Sequence, residues 1–165
     1  EMLAYVLPED KLDGMLVYTA DKNGEGDRYF CKDGKIQRES DDGSRDSRYP
    51  KEDDHELDVP LAVLVNGNSA SASEVFTGAV MDYDAGIVVG TTTFGKGIVQ
   101  NLIPLGDGTA IKLTTAHYYT PNGFDLHGKG LEPDVVVEMD EELQKKAVVE
   151  LSEDNQLQAA IEAMN

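Results

Sequence analysis

The chain has 165 residues, 40% of them hydrophobic, with 32 acidic residues against 14 basic ones for a formal charge of −18. That length fits one domain with a real core, and that charge repels nucleic acid and anionic membrane surfaces, so neither is expected as a partner. The single cysteine, Cys31, excludes an internal disulfide, and the longest apolar runs are of strand length, too short for a membrane-spanning helix.

Residues 1–7, EMLAYVL, read as a short helix ended by Pro8. A helix of that length is unstable alone, and it reads as the tail of an element that begins before Glu1. Residues 15–19 and 28–32 read as two strands, separated by turn signals at Asn23-Gly24 and Gly26. From 35 to 58 the chain is almost wholly polar, which predicts a disordered loop or insertion. Residues 61–65 form an apolar run and the clearest buried strand. It stops at Asn66-Gly67-Asn68. Serines 69, 71 and 73 follow, and a helix is predicted over 71–83, capped by Asn68 or Ser69, with Glu74 early enough to suit the helix dipole. Strands are expected at 87–89, 98–104, 110–116 and 135–137, the middle pair as a hairpin around Gly106-Asp107-Gly108. A charged helical pattern covers 140–150. A last amphipathic helix covers 155–164, with Leu157, Ala160, Ile161 and Met164 along one side. Helices interleaved with strands give an α/β class: a mixed sheet with flanking helices.

The chemistry concentrates between residues 61 and 100. Strand, sharp turn, serine-rich helix start, strand and a glycine-flanked Lys96 are the parts of a serine–lysine nucleophilic site. A serine hydroxyl needs a base to take its proton. A lysine serves only where an apolar, partly buried setting strips its ammonium of a proton; Phe94, the tight glycines and the neighbouring strands are expected to supply that setting. Free N–H groups at the helix start can face developing negative charge. Spacing alone does not choose among Ser69, Ser71 and Ser73, and all three also suit plain capping and packing.

Other chemistries fit less well. His55, His117 and His127 share no metal-ligand spacing, so neither a metal nor a cofactor is expected. His117 is read as structural, and Asp134, after Pro133, as a turn or ion-pair residue, which leaves a Ser-His-Asp site the weaker enzyme reading. Gly95-Lys96-Gly97 lacks the glycine spacing and following hydroxyl of a phosphate loop. The acidic tract at 39–46 lacks calcium-loop spacing.

Four stretches, PLAVLVNGNSASASE (60–74), VVGTTTFGKGIVQ (88–100), IPLGDGTAIKLTTAHYYTPNG (103–123) and GKGLEPDVVV (128–137), together resemble the catalytic region of the C-terminal processing peptidases, or tail-specific proteases. The resemblance implies that Ser71 is the nucleophile, Lys96 the general base and Gln100 the residue that positions the lysine. The backbone N–H of Ala72 would be one oxyanion donor. It further implies a core related to the crotonase and Clp protease folds and acyl-enzyme cleavage of polypeptide substrates that present a C-terminal tail. An extracytoplasmic bacterial location follows from the same likeness.

Relatives carry a PDZ module and a glycine-turn strand ahead of this region, and neither pattern is in this chain. Residues 1–165 are therefore read as a partial catalytic domain, weakly active or inactive alone, with membrane association only through segments outside it. Phe124-Asp125-Leu126-His127 stands where relatives have a more basic stretch. The contrasting reading is a non-catalytic scaffold fragment that binds a peptide strand or self-associates as a homo-oligomer through exposed edges.

Overall fold

The computed structural model describes residues 2–7, 15–32, 35–50 and 59–165. In chain order the elements are α1 (Met2–Val6), β1 (Met15–Ala20), β2 (Asp27–Lys32), β3 (Lys35–Ser40), β4 (Arg45–Pro50), β5 (Ala62–Val65), α2 (Ala72–Asp82), β6 (Ile87–Gly90), β7 (Ile98–Pro104), β8 (Ala110–Tyr119), β9 (Val135–Val136), α3 (Glu141–Gln144) and α4 (Asn155–Ala163). The α/β class holds, but the strands divide between two sheets. One is six-stranded and antiparallel in the order β4-β3-β2-β1-β8-β7; the other is three-stranded and parallel in the order β5-β6-β9.

Residues 35–50 overturn the loop expected there. They form the hairpin β3–β4, which extends the antiparallel sheet. Their charges are cross-strand partners rather than marks of disorder. Arg45 lies opposite Glu39 and meets its carboxylate at 3.2 Å. Arg38 reaches diagonally to Asp27 at 2.8 Å, and Ser40 Oγ donates to the same Asp27 at 2.8 Å. Ile36 is buried and anchors the hairpin to the core. Residues 51–58, including His55, lie outside the described residues.

The parallel sheet requires a crossover between β5 and β6, and α2 provides it. Thr77, Gly78, Ala79 and Val80 of α2 are buried. Ala79 and Val80 join Leu3, Ala4, Leu7, Leu16, Cys31 and Ile36 in one core, between α1, α2 and the β1-β2-β3 part of the larger sheet. Tyr83, which caps the C-terminus of α2, donates its hydroxyl to Met15 O at 2.8 Å and ties the helix to β1. Val88 and Val89 of β6 are fully buried, which contributes roughly 1.5–3 kcal/mol each. By contrast β5 is only partly buried: Val65 is enclosed but Leu64 is 43% exposed, so the strand expected to be most buried is β6 instead.

The β7–β8 hairpin forms as expected, with β8 running on to Tyr119. It projects from the body: every residue from 100 to 115 is exposed. The charged pattern at 140–150 yields only the single turn α3. Leu143 is its one buried apolar anchor, while Val148 is 77% exposed. In α4 the buried positions are Gln156 and Ala160, with Leu157 half-buried; Ile161 and Met164 face outward rather than joining the expected stripe. Asp154 caps that helix, accepting from Gln156 and Leu157 N–H at 3.0 Å each.

Candidate active site

The three serines separate by role once β5 ends. Ser69 closes the turn after the strand: its N–H donates to Asn66 O at 2.8 Å, and its Oγ accepts from Asn66 N–H at 3.1 Å. Asn68 N–H returns to Asn66 Oδ1 at 2.9 Å. Neither Asn68 nor Ser69 caps α2, because the helix starts later, at Ala72. Ser73 is exposed within the first turn of the helix. Ser71 is the N-cap, with φ 58° and ψ −113°. A serine with positive φ is strained by about 1–3 kcal/mol, a condition that surrounding structure must hold in place.

Glu74 is the residue that holds it. Ser71 N–H donates to Glu74 Oε2 at 2.9 Å, the reverse arm of a capping box. The expectation that Glu74 merely suits the helix dipole is too small a role. Its side chain has no exposure, and three further donors reach it from the segment between β6 and β7. Thr93 Oγ1 and Gly95 N–H donate to Oε1, each at 2.6 Å, and Lys96 N–H donates to Oε2 at 2.8 Å. Oε2 thus accepts from the peptide nitrogens of Ser71 and Lys96 together, and their separation cannot exceed the sum of those two bonds. Phe94 N–H adds a stitch to Ser69 O at 2.9 Å.

The lysine segment is fixed from its other side as well. Gly128 N–H donates to Gly95 O, and Tyr118 N–H to Gly97 O, both at 2.9 Å. Thr93 N–H donates to Leu131 O at 3.0 Å, while Leu131 N–H donates to Thr93 Oγ1 at 2.8 Å. The Thr93 hydroxyl therefore relays one loop to the Glu74 carboxylate. At Gly95, with φ +83°, an added Cβ would meet the backbone nitrogens of Gly130, Lys129 and Gly128 at 2.9–3.2 Å, so only glycine fits.

A cleft of about 730 Å³ opens beside this junction, lined in part by Ser71, Ala72, Phe76, Val99 and Tyr118, with Asp21, Glu25 and Asp27 along one wall. Ala72 is exposed at the first position of α2, where helix N–H groups have no intrahelical acceptor. Lys96 is exposed and does not line that cleft, and Phe94 is 65% exposed. The apolar enclosure expected around the amine is thus not formed by the described residues. Gln100 is exposed too, and its Nε2 donates to Thr114 Oγ1 at 3.2 Å. The structure brings the backbones of Ser71 and Lys96 together and leaves Gln100 engaged with β8.

The remaining candidates have structural partners. His117 Nδ1 lies 3.3 Å from Asp125 Oδ2, and its ring meets that of His127 edge-on at 5.0 Å. Burial pushes the Asp125 carboxyl up, but the His127 N–H and the His117 ring outweigh it, and the net shift is downward. Asp134 sits at the bend before β9, as a turn residue would, and its carboxylate accepts from Val88 N–H at 2.7 Å and so pins β6. Among the described residues no group of three His, Cys, Asp or Glu side chains is arranged to hold a metal, and no helix is long and apolar enough to cross a membrane.

Comparison with known proteins gives a consistent answer. The sequence model of peptidase family S41 matches residues 8–137. The carboxy-terminal-processing protease of Bartonella bacilliformis is 54% identical over 79 residues, 48% of this chain and 18% of that protein. A "Probable CtpA-like serine protease" of Staphylococcus epidermidis is 52% identical over 80 residues, 48% of this chain and 16% of that one. Among solved structures, the photosystem II D1 C-terminal processing protease superposes with a TM-score of 0.59 at 35% identity, over 82% of this chain and 30% of its own. The matched region is therefore under a fifth of either relative's length and under a third of the solved structure's.

Proposed function

This chain belongs to peptidase family S41, and from that premise we propose that the protein carrying it is a serine endopeptidase acting near protein C-termini through Ser71 and Lys96. The observation that supports this most directly is the shared acceptor: Glu74 Oε2 holds the peptide nitrogens of both residues, 2.9 Å from Ser71 and 2.8 Å from Lys96.

In this reading Ser71 Oγ attacks the scissile carbonyl as its proton passes to the Lys96 amine. The tetrahedral oxyanion takes the Ala72 N–H as one of its donors. Collapse breaks the C–N bond, the leaving amine receives the proton from Lys96, and an ester on Ser71 remains. Water then attacks that ester by the same proton route, releasing the acid and restoring the hydroxyl. Gln100 steers the lysine through its amide oxygen, which the Nε2 bond to Thr114 leaves free to accept. The substrate's own backbone, laid over the exposed Lys96, completes the cover that Phe94 leaves open.

The finer fold assignment, a core related to crotonases and Clp proteases, belongs to the same proposal, as do polypeptide tails as substrates and an extracytoplasmic bacterial location. Ser71→Ala and Lys96→Ala in the intact protein test it. Each should abolish cleavage of a peptide tail while leaving the folded circular-dichroism spectrum unchanged. Full activity in either variant refutes the assignment. The exposed edge of β7 supports a second reading, a module that binds a peptide strand without cutting it. Tail binding with no covalent labelling of Ser71 by a fluorophosphonate would favour that one.

A further inference from the structure

Glu74 is the one buried carboxylate among the described residues. A capping box would explain one of its bonds, the short-range one from Ser71. It does not explain the three that come from positions 93, 95 and 96, on the far side of β6. A buried carboxylate is costly unless its oxygens are satisfied, and here each oxygen receives two donors. Three are peptide N–H groups that can only donate, and the Thr93 hydroxyl, which accepts from Leu131 N–H, gives its own proton to Glu74. An acceptor-only side chain with two equivalent oxygens is what this arrangement demands.

We propose that Glu74 is a positioning residue for the Ser71–Lys96 pair, clamping the turn that carries one to the loop that carries the other; the inference rests on the serine–lysine reading above. The bond to Ser71 N–H fixes the turn at its unusual φ, and so the direction in which the hydroxyl leaves the helix. The bond to Lys96 N–H, with that to Gly95, fixes where the lysine side chain departs. Thr93 is the second brace, because its hydroxyl joins the 131 backbone to the carboxylate. Glu74 itself touches no reacting atom in this scheme and acts only through the two backbones.

The substitution Glu74→Gln keeps the shape but turns an amide NH₂ toward donors that need an oxygen. Thr93→Val keeps the volume and removes the relay, while Thr93→Ser keeps the relay and removes only a methyl. In the intact protein, assayed on a tail peptide well below each variant's melting temperature, E74Q should lower kcat about 100-fold, the scale of a sub-ångström to ångström misplacement of reacting groups. KM should stay within about threefold, since the cleft walls are untouched. The rate of Ser71 labelling by a fluorophosphonate should fall in parallel with kcat. T93V, which removes both the bond to Glu74 and the one from Leu131 N–H, should lower kcat about tenfold or more, and T93S should stay within about twofold of the parent.

A smaller folded fraction would also lower apparent kcat at constant KM, so kcat is expressed per site counted by the final extent of fluorophosphonate labelling. A general loss of structure would change that extent and would not be rescued by serine at position 93. The inference is overturned if E74Q keeps a parental kcat, if its loss lies in KM alone, or if T93V and T93S behave alike. Should E74Q fail to fold, the T93V and T93S pair decides the matter. Failure of the underlying reading is separable: it shows as retained activity in Ser71→Ala or Lys96→Ala, whatever E74Q does.

Discussion

Gly95 combines a left-handed backbone with a close approach of the 128–130 loop to the lysine segment, and Gly95→Ala puts a number on that contact. The residue sits at φ +83°, and an L-residue in that region loses about 1–2 kcal/mol. The added Cβ would also approach the nitrogens of Gly130, Lys129 and Gly128 at 2.9, 3.1 and 3.2 Å. These are backbone atoms and cannot rotate away, so one chain must shift; overpacking of this kind adds about 1–3 kcal/mol. The expected destabilisation is therefore about 2–5 kcal/mol. Gly106→Ala is the matched control, because Gly106 has φ +85° with nothing within 4 Å of its Cβ position. It should show the conformational part alone, about 1–2 kcal/mol. Urea unfolding of the two variants beside the parent gives the steric part by difference, provided the slopes agree. Peptide cleavage by Gly95→Ala should fall as well, because the shift displaces the Lys96 N–H from Glu74. If Gly95→Ala is no less stable than Gly106→Ala, the two glycine-flanked segments do not press on one another and the packing described for the lysine loop is wrong.

Asp134→Ala should cost about 1–3 kcal/mol in urea unfolding by stranding the Val88 N–H, with faster hydrogen exchange at Val88 than in the parent. Asp154→Ala should remove the α4 cap for about 1 kcal/mol, read as earlier fraying of that helix in hydrogen exchange. Asp125 predicts a pH effect. Its folded pKa is depressed despite the opposing effect of burial, so its contribution is present above the unfolded carboxylate value and is lost as the pH falls through the lower folded one. The stability gap between parent and Asp125→Asn should accordingly be widest near neutrality and close in acid; a gap that widens in acid contradicts the sign.

The order of elements from 61 to 119 could be read from the chain because its punctuation is local. Asn66-Gly67-Asn68 can only turn, Gly106-Asp107-Gly108 can only join a hairpin, and the apolar runs between them have strand length. The β3–β4 hairpin escaped for the opposite reason. Its stabilising pairs, Arg45 with Glu39 and Arg38 with Asp27, are charges that count toward disorder until the strands that pair them are known. Ser71 was one of three serines, and the turn bonds that occupy Ser69 were invisible in the spacing. Half of Glu74's role was written locally, in the Ser71-to-Glu74 capping interval. The other half was not, because Thr93, Gly95 and Lys96 lie beyond an intervening strand and their partner is chosen by tertiary packing. The exposure of Lys96 was equally illegible, since Phe94 beside it suggests an enclosure that the side chain does not form.

The chain contains the triplet Gly-Lys-Gly twice, at 95–97 and at 128–130, and the structure packs the two against each other. Both lysines are exposed, so neither composition nor burial distinguishes them. Their backbones do. Lys129 N–H closes a local turn on Leu126 O at 3.1 Å, and its ammonium lies 5.1 Å from the Phe124 ring centroid. Such a surface contact is worth about 0.5–1 kcal/mol and orders only the loop itself. Lys96 N–H instead ends on a buried carboxylate oxygen that it shares with Ser71. Moving Lys129 would disturb one turn, whereas moving Lys96 would break the clamp between the helix start and the loop after β6. The same tripeptide is thus a loop closure in one place and half of a two-residue junction in the other, and the difference lies in which acceptor receives its peptide hydrogen.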